Sequence, residues 1–263
     1  MVRKAFAGLL YVCLLFVVFL TPGYALSRTA LVIGNASYDS APLKNPANDA
    51  GDMAKLLRAL DFDLIEKIVA DKRDMVEAFN AFGNTLRRSK VGVFYFAGHG
   101  MQIDGRNFLI PVGAKVKTES DVEFESVHVG RVLGKMEEAG NALNIVILDA
   151  CRDNPFKRSF RSNRKGLARM DAPTGTLIAY STAPGEVAAD GDSRNGVYTK
   201  YLKRYMSVPG LPIEQVLKKV RVDVMNETEG TQVPWESSSL TGDFSFKPAN
   251  RAALGDGDVV PKE

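Results

Sequence analysis

Val91-Gly92-Val93-Phe94-Tyr95-Phe96-Ala97-Gly98-His99-Gly100 is the stretch on which the fold turns. Residues 91 to 96 form an unbroken apolar run without the polar alternation of a half-exposed strand, so a strand covered on both faces is expected. The run stops at Gly-His-Gly, where glycines free the backbone for unusual dihedrals and close approach to a ligand. A second run of the same kind, Asn144 to Leu148, stops at Asp149-Ala150-Cys151. Outward from these two, short apolar runs alternate with segments of helical period. Thr29 to Ile33, Leu64 to Val69 and Thr176 to Tyr180 read as strands, Phe108 to Pro111 as a short extension, and Phe244 to Phe246 as a closing edge strand. Met53, Leu56, Leu57 and Leu60 recur at helical spacing behind a cap at Asn48 or Asp49. Val76, Phe79, Phe82 and Leu86 mark a second helix, and Val127 to Met136, Tyr198 to Tyr205 and Ile213 to Met225 read as three more. Strands alternating with helices predict an α/β protein whose mostly parallel central sheet has helices on both faces, because each right-handed crossover carries a helix over the sheet.

In open sheets of this type ligands bind beyond the carboxyl ends of the strands. Two consecutive core strands therefore deliver His99 and Cys151 to one edge. A thiol is a weak nucleophile until deprotonated, and an imidazole beside it can take that proton and later protonate a leaving amine. The alternative is a core cysteine beside an unrelated loop histidine. Composition narrows the classes further. A chain of 263 residues, 45% hydrophobic and 25% charged, suits one globular domain with a full core. Against 31 acidic residues stand 34 basic ones, and no nucleic-acid motif is present, so nucleic acid is not an expected partner. Two Cys and two His exclude a disulfide framework and a Cys/His zinc module.

Arg3 and Lys4 precede uncharged, mostly apolar residues from Ala5 to Leu20, followed by the break Thr21-Pro22-Gly23 and the small residues of Gly23-Tyr24-Ala25. Residues 1–25 read as a secretory signal peptide, with an uncleaved membrane anchor as the rival. Either way the remainder is expected outside the cytoplasm, periplasmic or extracellular. Cleavage removes Cys13 and leaves Cys151 as the mature thiol, without a partner in an oxidising compartment. The tail, 249–263, is rich in Gly, Asp and Pro and reads as disordered.

The order of strand, Gly98-His99-Gly100, strand and Leu148-Asp149-Ala150-Cys151 resembles the caspase-like cysteine peptidases, especially the bacterial metacaspase (orthocaspase) branch. His99 lies about 50 residues ahead of Cys151, the interval that caspases show. The resemblance runs over residues 26–248 and takes in the segments Ala30 to Asn35, Leu43 to Ala50, Gly105 to Pro111 and Ser181 to Gly185. It implies an αβα sandwich and a cysteine endopeptidase acting on peptides or proteins, without a cofactor and as a monomer. Cys151 would attack the peptide carbonyl, His99 would serve as general base and acid, and the amides of Gly100 and Cys151 would hold the oxyanion. Asp149 and Asp49 match the acids that line the metacaspase pocket, which implies cleavage after Arg or Lys. A helix cap is the other reading of Asp49, compatible with the first. A phosphoacceptor role for Asp149 has no other support in the chain.

Departures from the pattern narrow the expectation. Arg152-Asp153 follow Cys151 where animal caspases carry x-Gly, so their Asp specificity does not carry over. The His-Ser-Gly frequent in metacaspases is also replaced, which weakens any case for calcium, and Asp190 and Asp192 read first as a solvated acidic loop and second as a cation site. Between Asp153 and Thr174 lie Lys157, Arg158, Arg161, Arg164, Lys165 and Arg169, an ordinary basic loop, a site of self-cleavage or a segment that blocks the site. His128 reads as a surface residue ahead of a helix, and Trp235 as closing the core rather than walling a pocket. Two other functions remain open: a catalytically silent caspase-like module that binds peptides, and a Cys-His acyl transferase such as an amidase.

Overall fold

Leu31 and Ile33 pack on one side of the central sheet and Ala30 and Val32 on the other, and the same alternation runs through every buried strand. The structure, a computed structural model, describes residues 27–150, 166–188, 191 and 193–249. The main sheet contains β1 (Arg28–Gly34), β2 (Phe62–Ile68), β3 (Val91–Ala97), β7 (Leu143–Asp149), β8 (Thr176–Tyr180) and β9 (Trp235–Ser238) in the order β2-β1-β3-β7-β8-β9. Five of these strands are parallel, and β9 closes one edge antiparallel to β8. On one face lie α1 (Pro46–Ala59), α5 (Val197–Met206) and α6 (Ile213–Glu227), and on the other α2 (Lys72–Leu86) and α4 (Gly130–Ala139). This is the αβα sandwich expected from the alternation of apolar runs.

Local chemistry accounts for the helices. α2 starts with a capping box, in which the Asp71 carboxylate accepts from the Asp74 N–H at 2.8 Å and the Asp74 carboxylate reaches back to Asp71. Such a cap is worth about 1 kcal/mol. Its buried face is Met75, Ala78, Phe79, Phe82 and Leu86, with Val76 only partly covered. α4 stops at Gly140 in the left-handed conformation, φ 63°. α1 approaches β1 so closely that a Cβ on Gly34 would lie 2.5 Å from the Ala50 Cβ.

A second, antiparallel sheet of β4 (Gly100–Ile103), β5 (Arg106–Leu109) and β6 (Val127–His128) covers a smaller core of Tyr38, Met101, Phe108, Ile110, Val116 and Val122. Between β4 and β5 the chain turns through Asp104 and Gly105, both at positive φ, the signature of a type I′ hairpin. α3 (Glu119–Glu125) precedes β6.

Four expectations need correction. The helix expected over Val127 to Met136 divides, because Val127 and His128 pair with Leu109 and Phe108 and only then does α4 begin at Gly130. Phe244 and Phe246 are buried but form no strand; their rings pack edge to face beneath the helices, and the edge position belongs to β9. Trp235 sits on that edge strand, 41% exposed, rather than closing the core. The N-cap of α1 is Asn45, with Pro46 at its start, so neither Asn48 nor Asp49 caps it. The segments 1–25 and 250–263 lie outside the described residues.

Candidate active site

The parallel register brings the two decisive strand ends level. Ala97 at the end of β3 pairs with Asp149 at the end of β7, and the Gly98 N–H donates to the Asp149 carbonyl at 3.3 Å. Beyond these ends the chain continues into Gly98-His99-Gly100 on one side and Ala150 on the other. Cys151 itself, the expected nucleophile, lies outside the described residues, as do Asp190 and Asp192 and the basic residues 157–165. The glycines around His99 are demanded by space. A Cβ on Gly98 would meet the Tyr38 hydroxyl at 2.6 Å, and one on Gly100 would meet the Ala150 carbonyl oxygen at 2.8 Å. Gly100 therefore lets the histidine arm lie directly against the backbone that leads into Cys151. Ile110 donates to the His99 carbonyl and Gly100 pairs with Leu109, so antiparallel alternation turns the Gly100 N–H away from β5, toward the open side of β4.

His99 is buried, 2% exposed, and fixed at several points. Its backbone N–H donates to the Tyr38 hydroxyl at 2.9 Å, and that hydroxyl donates to the Ile110 carbonyl at 3.1 Å. The Tyr38 and His99 rings pack with centroids 4.5 Å apart. Nε2 lies 2.7 Å from the Ala41 carbonyl oxygen. A carbonyl can only accept, so Nε2 carries the proton and, in the neutral ring, Nδ1 carries the lone pair. Ala41 has φ 55°, a left-handed conformation that a non-glycine residue adopts at a cost of about 1 kcal/mol. That backbone strain sits at the residue whose carbonyl fixes the tautomer.

Both expected pocket acids are buried, and one helix holds them. Asp49, in the first turn of α1, accepts from the Gly196 N–H at 3.0 Å. Asp149 follows the parity of Ile145 and Ile147, so its side chain faces α5, where the Thr199 hydroxyl donates to Oδ2 at 2.9 Å. Thr199 is also 2.6 Å from the Tyr95 hydroxyl. Gly196 is the N-cap of α5 and offers no side-chain cap of its own; Asp49 accepts from its backbone N–H, and Asp149 from the side chain of Thr199 in the first turn. The cap reading of Asp49 therefore does not hold for α1; its carboxylate instead bonds the N–H of the residue at which α5 begins.

One turn along α1, Asp52 accepts from Arg194 at 3.0 Å and from Lys203 at 2.7 Å. The Arg194 hydrogen bond, ahead of that from Lys203, holds the Asp52 carboxyl well below the usual carboxylate range. Asn45 adds a bond from its side chain to the Gly191 carbonyl, so the chain before α5 is fastened to α1 at three successive positions.

Tyr38, Ala41, Tyr95 and Thr199 were not singled out from the sequence. For the hairpin that follows His99 a signal did exist, the Asp104-Gly105 pair. His128 is exposed, as expected, but lies in a strand with its ring 5.2 Å from that of Phe108. Among the described residues no group of three or more His, Cys, Asp or Glu is placed to hold a metal ion, and no helix is long and apolar enough to cross a membrane.

Comparison with known proteins agrees with this geometry. Two curated relatives, mucosa-associated lymphoid tissue lymphoma translocation protein 1 of Homo sapiens and its homolog in Mus musculus, are each 30% identical over 183 residues, 68% of this chain. The match spans only 21% and 22% of the mouse and human proteins. These relatives support the caspase-like family as a whole rather than the metacaspase branch. The family model described as "Caspase domain" matches residues 27–245, the whole sandwich and both strand ends, and the chain belongs to that family of cysteine peptidases.

Proposed function

We propose that the protein is a cysteine endopeptidase that cleaves peptide bonds after Arg or Lys, using Cys151 and His99. The observation that carries the reading is the state of His99. Its Nε2 proton is held by the Ala41 carbonyl, at the edge where β7 hands the chain on to Cys151. Nδ1 of His99 takes the proton from the Cys151 thiol, and the thiolate sulfur adds to the scissile carbonyl carbon. The Gly100 and Cys151 amides donate hydrogen bonds to the oxyanion, His99 returns the proton to the leaving amine as the tetrahedral intermediate collapses to the thioester, and water hydrolyses the thioester. Asp49 and Asp149 supply the negative charge that selects a cationic side chain ahead of the cleaved bond. The leader, residues 1–25, carries the domain out of the cytoplasm, the mechanism needs no cofactor, and the substrates are peptides or proteins.

The test is to incubate the purified protein with fluorogenic peptides ending in Arg, Lys or Asp, alongside Cys151→Ala. Release from Arg and Lys peptides by the wild type, and none by the variant, is the expected outcome. Cleavage after Asp alone would overturn the pocket assignment and leave the dyad. Silence on all three, with Cys151 inert to a thiol alkylator, would make the chain a binding module.

A further inference from the structure

The pocket acids are held by the first turn of α5, and the two bonds differ in kind. Asp49 is held by a backbone amide, which no substitution at Gly196 other than proline removes. Asp149 is held by the Thr199 side chain, which belongs to a chain of three groups buried between β3, β7 and α5. The proton order within it is dictated by chemistry. The Thr199 hydroxyl gives its one proton to Asp149 Oδ2 at 2.9 Å. Thr199 Oγ1 must then accept from the Tyr95 hydroxyl, 2.6 Å away, since its own proton is committed. Tyr95 in turn is anchored in a strand that is buried along its whole length. The rigid sheet is thus wired through Tyr95 and Thr199 to the carboxylate plane of Asp149.

The geometry points to Thr199 as a positioning residue that fixes the orientation of Asp149 and thereby lets the site distinguish arginine from lysine. The inference rests on the reading of Asp149 as a pocket acid. A guanidinium is a planar fork whose paired bonds require a carboxylate in one orientation, whereas an ammonium is a point charge satisfied by many. Loosening Asp149 therefore weakens the arginine substrate more than the lysine one. Bulk hydrophobic disturbance of the same helix would weaken both alike.

The experiment compares wild type, Thr199→Val, Thr199→Ser and Tyr95→Phe on matched peptides ending in Arg or Lys, with kcat and KM resolved and folding checked by thermal melting. Thr199→Val is expected to lose about tenfold in kcat/KM toward the Arg peptide, almost all in KM, and less than about threefold toward the Lys peptide. Thr199→Ser, which keeps the hydroxyl, is expected to restore the Arg-to-Lys ratio to within about twofold of wild type. Tyr95→Phe is expected to lower that ratio in the same direction by a smaller factor, and it carries the test if Thr199→Val fails to fold. An unchanged ratio in the folded variants, or a serine that does not rescue, overturns the assignment of Thr199. A wild type that cleaves after neither Arg nor Lys overturns instead the pocket reading beneath it.

Discussion

At the amino ends of the parallel strands the polar contacts among the described residues close on backbone carbonyls and neutral side chains, whereas at the carboxyl ends they run onward to His99 and Asp149. The amino end is closed by Arg28, whose guanidinium lies 5.6 Å from both the Phe62 and Phe244 ring centroids and donates to the Phe246 carbonyl at 2.7 Å. Burial is the leading cause that pushes its pKa down. Close by, Thr29 bonds Ser89, which bonds the Thr85 carbonyl, and Asn141 bonds Asn144 and the Leu143 carbonyl. At the other end Tyr38 leads to His99, Tyr95 leads through Thr199 to Asp149, and strain is stored at Ala41. The same strands thus serve stability at one end and carry the proposed catalytic residues at the other. That division is the expected one for a fold whose loops carry function at the carboxyl edge.

The comparison breaks most visibly if the carboxyl end proves dispensable. Replacing His99 or Cys151 by alanine is expected to lower kcat/KM on an Arg peptide by at least about 10³-fold, read as initial rates over a wide enzyme range. Next in size is the amino end. Arg28→Ala loses two ring contacts and a hydrogen bond from a half-buried position, about 2–3 kcal/mol together. The melting midpoint should fall by about 5–10 °C, with kcat unchanged below the transition. A parallel loss of kcat would show that the two ends are not separable.

Asp52 sharpens the contrast at intermediate scale. Its carboxyl is depressed in the folded state, so its stabilisation is present above the unfolded carboxylate value of about 4 and fades as pH falls below it. Asp52→Asn should cost about 1–2 kcal/mol at pH 7, less than the buried contacts imply because Arg194 is exposed. Chemical denaturation at pH 7 and pH 3 measures it: the gap between wild type and variant should narrow at the lower pH. Smallest is Ala41→Gly. Relief of the positive φ keeps stability within about 1 kcal/mol of wild type, while a looser carbonyl on His99 lowers kcat a few-fold. A variant that is both more stable and fully active would remove Ala41 from the account.

What could be read in the sequence follows from range. Val91 to Ala97 and Leu143 to Asp149 announce themselves because continuous burial makes them continuously apolar, and their ends placed His99 and Asp149 at one edge. Short elements did not announce themselves: Gly100–Ile103 carries no β-branched run, and Glu119–Glu125 is mostly acidic. Phe244 and Phe246 looked like a strand because two aromatics flanking a serine mimic strand alternation, yet the backbone there joins no ladder: the Phe244 carbonyl accepts from the Ile213 N–H and the Phe246 carbonyl from Arg28. The partners of the site were beyond reach in principle. Tyr38 meets His99 from 61 positions away and Thr199 meets Asp149 from 50, contacts that only the assembled sandwich creates.

Asp149 faces α5 and not α2 because it stands an even number of residues from Ile145 and Ile147. Insertion or deletion of one residue between Ile145 and Asp149 would turn its carboxylate to the apolar side against α2 and α4, and bring Ala150 round in its place. Over evolutionary time β7 should therefore exchange one aliphatic residue for another freely while its length stays frozen. For the placement of Asp149, the number of residues in that strand matters more than which aliphatic residues fill it.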